Sequence, residues 1–177
     1  MSVPKICLLT GEKGSGKTTF LLELHRILKS KAIRVGGILA MGAWKNNQRH
    51  SFTLHNLSGN GSMLFCTRDE EPGWIRKRHF YINPMALEFG RNALNPINLE
   101  GCQVAFIDEI GPFELSGEGW AESFSRLIGN RKHHLVVSVR SSMVEDVMHH
   151  WGLNNCCRFD VREKSPEQLS DLLLAAG

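Results

Sequence analysis

No run of apolar residues in this sequence approaches the ~20 needed to cross a bilayer as a helix, so a membrane-spanning protein is not expected. Cysteine is sparse, with five among 177 residues. Cys7, Cys66, Cys102, Cys156 and Cys157 are odd in number, form no C-x-x-C pair and fall partly within predicted strands. That pattern argues against a disulfide framework and for reduced thiols. Charge of one sign is never concentrated: 21 Lys and Arg and 18 Asp and Glu are scattered, leaving a net +3. A nucleic-acid-binding face is therefore not indicated. Internal repeats, low-complexity tracts and interdomain linkers are also missing, and the length suits one domain over residues 1–177. The chain enters an apolar strand directly from its first residues without the pattern of a signal peptide, and the expectation is a cytoplasmic protein.

What is present centres on one stretch. Lys5 to Thr10 reads as a buried strand, and Gly11-Glu12-Lys13-Gly14-Ser15-Gly16-Lys17-Thr18 fits G-x-x-x-x-G-K-[ST] at each position. Phe20, Leu21, Leu24, Ile27 and Leu28 then recur at helical spacing. The glycines let such a loop wrap a phosphate with its N–H groups pointing inward, and the N-terminus of the following helix adds a favourable dipole. Lys17 is placed to meet the β- and γ-phosphates, and the Thr18 hydroxyl is the expected Mg²⁺ ligand. Thr19 serves the helix start or a neighbouring phosphate. The mildly basic balance suits a polyphosphate ligand. This is a nucleotide site.

Further along, Arg34 to Met41 reads as a second strand containing Gly36-Gly37, a pair that signals close approach of another backbone or of a ligand. His50 to Leu57 and Ser62 to Cys66 read as an antiparallel hairpin across Ser58-Gly59-Asn60-Gly61. Thr67 to His79 reads as a solvated loop carrying Arg76-Lys77-Arg78, the alternative being a lid that brings cations over the phosphates. Phe80 to Ile82 adds a short strand, and Asn83-Pro84 opens a helix that Asn95-Pro96 stops. Gln103 to Ile107 is a continuous apolar strand ending in Asp108-Glu109. A helix over about 119–128 and a strand from His134 to Val139 follow. Ser142 to Glu145 matches a capping box, Cys156 to Val161 a last strand, and Ser165 to Gln168 a second capping box. Strands that alternate with helices and read as unbroken apolar runs predict an α/β fold. Its sheet should be mostly parallel, with helices on both faces and a small antiparallel hairpin insertion.

An apolar strand ending in a carboxylate delivers it to the sheet edge where the P-loop lies, so Asp108 is the candidate for the Mg²⁺ shell. Glu109 is the candidate for orienting the attacking water, since phosphoryl transfer depends on positioning and charge stabilisation. Through these residues the chain resembles the small P-loop nucleoside-triphosphatases. The resemblance rests on residues 11–19, on Gly36-Gly37 and on the run Ile107-Asp108-Glu109-Ile110-Gly111-Pro112-Phe113-Glu114-Leu115. It covers nearly the whole chain and implies a RecA-like fold and hydrolysis of several nucleoside triphosphates to diphosphate and phosphate. It also implies Asp108 as the Mg²⁺-linked carboxylate and Glu109 as the water-positioning one.

Arg140 follows an apolar strand and, if that strand is parallel, emerges at the same edge as Asp108 to approach the γ-phosphate; Arg76 or Arg78 is the substitute. The pairs His133-His134 and His149-His150 lack partners at ligand spacing and read as core and surface histidines. Trp44, Trp74, Trp120 and Trp151 read as core or loop anchors. No N-K-x-D-like guanine-reading segment is present, which argues against a dedicated GTPase. Three functions stay open: an Mg²⁺-dependent hydrolase acting on ATP, GTP, CTP and UTP, a nucleotide or metabolite kinase, and an interaction protein timed by slow hydrolysis. The sequence identifies no protein partner.

Overall fold

The computed structural model describes residues 4–59 and 61–175. Within these residues, nine strands form one sheet. They are β1 (Ile6–Gly11), β2 (Val35–Lys45), β3 (Gln48–Asn56), β4 (Ser62–Thr67), β5 (Ile75–Lys77), β6 (Phe80–Ile82), β7 (Val104–Ile110), β8 (His134–Arg140) and β9 (Cys157–Asp160). Their order is β5-β6-β4-β3-β2-β7-β8-β1-β9. The strands from β2 to β9 in that order pair parallel, and those from β2 to β5 pair antiparallel. The helices are α1 (Lys17–Ser30), α2 (Pro84–Ala93), α3 (Pro112–Leu115), α4 (Ala121–Asn130), α5 (Val144–Trp151) and α6 (Pro166–Leu174). Among these described residues, no helix is long and apolar enough to cross a membrane.

The parallel strands alternate their side chains between two cores, which is the period-2 rule of a sheet covered on both sides. Cys7 and Leu9 of β1, Val104 and Phe106 of β7, and Val136 of β8 pack against Leu21, Leu24 and Leu28 of α1 and Leu169 and Leu173 of α6. Leu8, Ala105, Ile107, Leu135 and Val137 face the other way, toward α2, α4 and α5 through Leu87, Phe124, Leu127 and Val147. The expected α/β fold with helices on both faces is present.

The antiparallel part is larger than a hairpin. β2 runs on past the parallel sheet: Val35 to Ile38 pair with β7, while Ile38 to Lys45 pair with β3. The stretch 67–79, expected to be loop, contains β5, which pairs with β6 so that Lys77 lies opposite Phe80. Its two-residue connection is Arg78-His79, with Arg78 at a φ of 53°, and this lacks the Asn-Gly spelling that marks such turns. Of the expected turn at 58–61, Asn60 lies outside the described residues.

Other boundaries differ as well. Ser142 falls in a 3-10 turn, Ser141–Met143, and α5 starts after it with Met143 at the cap and no side-chain hydrogen bond there. The fourth helix starts at Ala121 rather than Gly119, because Gly119 is left-handed at φ 55° and Trp120 takes the cap position. The strand expected to end in Asp108-Glu109 includes both and runs one residue further, from Val104 to Ile110. By contrast, Asn83 accepts from the Met85 N–H at 3.0 Å as a helix cap, and Ser165 and Gln168 form the reciprocal capping box.

Gly37 marks the close approach that its pairing with Gly36 suggested. It sits at φ 95°, and a Cβ there would overlap the carbonyl oxygen of Phe106 on β7. Gly37→Ala should cost more than about 2 kcal/mol, since both the positive φ and the backbone clash oppose it. Gly129 lies inside α4 with open space where a Cβ would go, so Gly129→Ala should stabilise by about 0.5–1 kcal/mol. Urea unfolding of the two variants reads both signs.

Candidate nucleotide site

The loop between β1 and α1 has the geometry its glycines predicted. Gly14 and Gly16 take φ values of 79° and 93°, and a Cβ on Gly11 would overlap the Ser15 hydroxyl and reach Val161 at 2.8 Å. Glu12, Lys13, Gly14, Gly16 and Thr19 are exposed along the loop and the first turn of α1. Ser15 has a buried hydroxyl with no hydrogen-bond partner among the described residues. Lys17 is buried, and its ammonium donates to the carbonyls of Gly11 at 2.9 Å and Glu12 at 3.0 Å. Burial lowers its pKa, opposed by the nearby Glu109 and Asp108 carboxylates.

Parallel pairing brings the second half of the site to the same edge. Gly11 on β1 lies beside Arg140 on β8, and β8 lies beside β7. The β7–β8 register breaks between Ile107, opposite Val137, and Ile110, opposite Val139. Two residues, Asp108 and Glu109, thus face one, Ser138, as in a bulge that re-aims side chains.

Asp108 is 4% exposed and accepts three hydrogen bonds. The Thr18 hydroxyl donates to Oδ2 at 2.8 Å, the Ala40 N–H donates to Oδ2 at 3.3 Å, and the Ser138 hydroxyl donates to Oδ1. Burial raises the Asp108 carboxyl above its ordinary range, and the Ser138 and Thr18 bonds oppose that rise. Glu109 points along the edge, half-buried, and accepts from Arg140 Nη2 at 2.8 Å. Thr18 and Asp108 therefore present hard oxygen atoms side by side beside the phosphate loop, a donor set that fits a small divalent cation.

Arg76 and Arg78 are exposed on the β5–β6 hairpin. Between them, Lys77 pairs with Glu118 at 2.7 Å and lies 5.3 Å from the Phe113 ring. The hairpin thus meets the segment after β7, and it is Arg140 that stands at the carboxylates. The histidines are spread out: His133 is buried and donates to the Cys102 carbonyl, while His149 and His150 are exposed. Trp120 is buried and Trp44 is 61% exposed with Arg49 stacked on it. Free thiols at Cys7 and Cys66 are buried, and burial raises both.

Two residues of the site escaped sequence reasoning. Ser138 had a signal, as the lone polar residue in Leu135-Val136-Val137-Ser138-Val139. Glu114 is 4% exposed and forms no salt bridge among the described residues; its carboxylate accepts from the Gly111 N–H at 2.9 Å and the Trp120 N–H at 3.4 Å. Burial pushes it up to about 7, with those two N–H groups pulling it down and Glu109 adding to the rise.

A model of the family described as NTPase matches residues 6–172. The chain is similar to the nucleoside-triphosphatase THEP1 of Sulfolobus acidocaldarius, 31% identical over 146 residues covering 82% of this chain and 83% of that one. With THEP1 of Thermotoga maritima it shares 27% identity over 171 residues, 95% of this chain and 92% of the relative. Two solved structures have the same fold. The solution structure of a human cancer-related nucleoside triphosphatase aligns at a TM-score of 0.72 and 21% identity, over 96% of this chain and 95% of that one. The crystal structure of THEP1 from the hyperthermophile Aquifex aeolicus aligns at 0.72 and 19%, over 96% and 99%.

The raised Asp108 pKa has a stability consequence. A carboxyl raised in the folded state contributes stability that is fully present below its unfolded value of ~3.9 and is lost as pH rises through the folded value. Asp108→Asn removes that loss. Without added metal, its Tm should exceed the parent's at pH 8, and thermal unfolding should show the gap closing as the pH is lowered toward ~4.

Proposed function

The chain belongs to the NTPase family, and on that premise we propose that it hydrolyses nucleoside 5′-triphosphates to diphosphate and phosphate with loose base specificity. The observation that carries this reading is the Thr18–Asp108 hydrogen bond. It joins residues 90 positions apart, so that phosphate loop, acidic strand end and Arg140 form one constellation.

Each residue then has a role. Gly11 to Thr19 wrap the β-phosphate with backbone N–H groups, and the Ser15 hydroxyl, which lacks a partner among the described residues, is free to serve a phosphate oxygen. Lys17 exchanges its two carbonyl bonds for phosphate oxygens, a favourable trade because charge-assisted bonds are the stronger ones. Mg²⁺ suits the oxygens of Thr18 and Asp108 and, when bound, supplies positive charge to the β- and γ-phosphates. Glu109 accepts hydrogen bonds from the attacking water and holds it toward the γ-phosphate. Arg140, half-exposed and already hydrogen-bonded to Glu109, holds that carboxylate in place and offers its remaining N–H groups to the charge that develops as the bond breaks. All these contacts address phosphate and water, which is why the base is expected to matter little.

Phosphate release from ATP, GTP, CTP and UTP with Mg²⁺ tests the reading. All four should be hydrolysed without any acceptor, and Glu109→Gln should bind nucleotide yet lose release. Arg140→Ala should lower kcat by about a hundredfold or more if it stabilises the transition state; unchanged kcat would remove it from the mechanism. Tight binding with no release from the parent protein would overturn the hydrolase reading.

A further inference from the structure

Glu114 lies outside the roles above, and its setting is unusual. It sits in a four-residue helix, is almost fully buried, and its oxygens are held by backbone N–H groups and by no salt bridge among the described residues. Burying a carboxylate is costly unless its oxygens are satisfied, and here both are, by backbone. Oε2 takes the Gly111 N–H and Oε1 takes the Trp120 N–H. The side chain thus ties together the two ends of segment 111–120.

What this tie fixes is next to the reacting groups. Gly111 is two residues beyond Glu109, and a Cβ placed on it would lie 3.9 Å from Glu109 Oε1. That same oxygen is the one held by Arg140. The backbone at Gly111 is therefore one wall of the Glu109 carboxylate, and Glu114 holds that wall. The other end of the tie is packed hard. A Cβ on Gly119 would overlap Glu114 Oε1, the Trp120 ring lies against Gly90 of α2, and Trp120 stacks with Phe65 of β4 at 5.5 Å between centroids. Arg91 of α2 donates to the Gly119 carbonyl at 3.3 Å. The anchor is the antiparallel wing.

We propose that Glu114 is a positioning residue for hydrolysis: by holding the Gly111 N–H against an anchor at Trp120, it fixes the backbone that aims Glu109. The proposal rests on the hydrolase reading and extends it to a residue that touches neither nucleotide nor water. A fixed aim belongs to the transition state more than to ground-state binding, so its loss falls on kcat.

Glu114→Gln keeps the shape and one acceptor oxygen but turns an NH₂ toward one of the two N–H groups. It should lower kcat at least tenfold with KM for ATP within twofold of the parent and Tm within about 3 °C. Amide exchange at Gly111 and Trp120, read by NMR, should speed up at least tenfold. Glu118→Gln, which removes an exposed charge from the same segment, should leave kcat within twofold. Unchanged kcat, unchanged exchange, or equal losses in kcat, KM and Tm would each overturn the proposal. If Glu114→Gln does not fold, Glu114→Asp, which keeps the charge but shortens its reach, is read by the same criteria. If the parent releases no phosphate, it is the hydrolase reading that falls, and the exchange arm still decides whether Glu114 holds Gly111.

Discussion

The carboxylate of Asp108 sits almost fully buried where α1, β2, β7 and β8 meet, and much of the surrounding structure is arranged to tolerate it. An isolated buried charge is costly, and such groups persist only when their oxygens are satisfied. Three donors from three separate elements converge on it: Thr18 from the first turn of α1, Ala40 from β2 and Ser138 from β8. None is near it in sequence. The registers β1–β8, β7–β8 and β2–β7 must all be right for the three to arrive together. A slip of one residue in any of them would turn a donor to the other face and strand the charge.

The Ala40 bond also explains why the wing is coupled to the site. β2 belongs to both halves of the sheet, parallel to β7 over its first residues and antiparallel to β3 from Ile38 onward. Gly37, with no Cβ to hold it off, lets β2 come close to Phe106 just before the strand changes partners. Three residues on, the Ala40 N–H reaches Asp108. The wing returns through Trp120 and the Lys77–Glu118 pair to the segment after β7. The Lys77 pair is about half exposed and contributes little energy by itself. The buried Trp120 and Glu114 contacts carry the connection.

The sequence made some of this legible and hid the rest for identifiable reasons. The phosphate loop was plain because its chemistry requires glycines and a lysine at fixed spacing, and the Asn83 and Ser165 caps because local hydrogen bonds dictate their residue types. The parallel strands announced themselves as apolar runs because both faces are covered. β5 stayed hidden because Ile75-Arg76-Lys77 is too short and charged to show a period, and its turn lacks glycine. Ser142 misled because its capping spelling was realised as a 3-10 turn instead. Glu114 stood in plain view within residues 107–115, yet nothing local says that a carboxylate in a four-residue helix is buried, since its partners are backbone groups of Gly111 and Trp120.

The site's arrangement finally turns on a break of parity in β7. Along a regular strand, residues 107 and 110 would face opposite sides, being an odd number of positions apart. Here both Ile107 and Ile110 pack into the same core, on the side of α2, α4 and α5. The bulge absorbs the extra residue: Asp108 and Glu109 together take the place opposite Ser138. Asp108 can then turn inward, to Thr18 and Ser138, while Glu109 lies along the edge within reach of Arg140. Ser138 and Arg140, two apart on β8, share one face and meet the two carboxylates one each. β8 lies between the strand that feeds the phosphate loop and the strand that supplies the acids. It thereby sets the spacing between them, and the bulge lets two adjacent carboxylates take two different jobs.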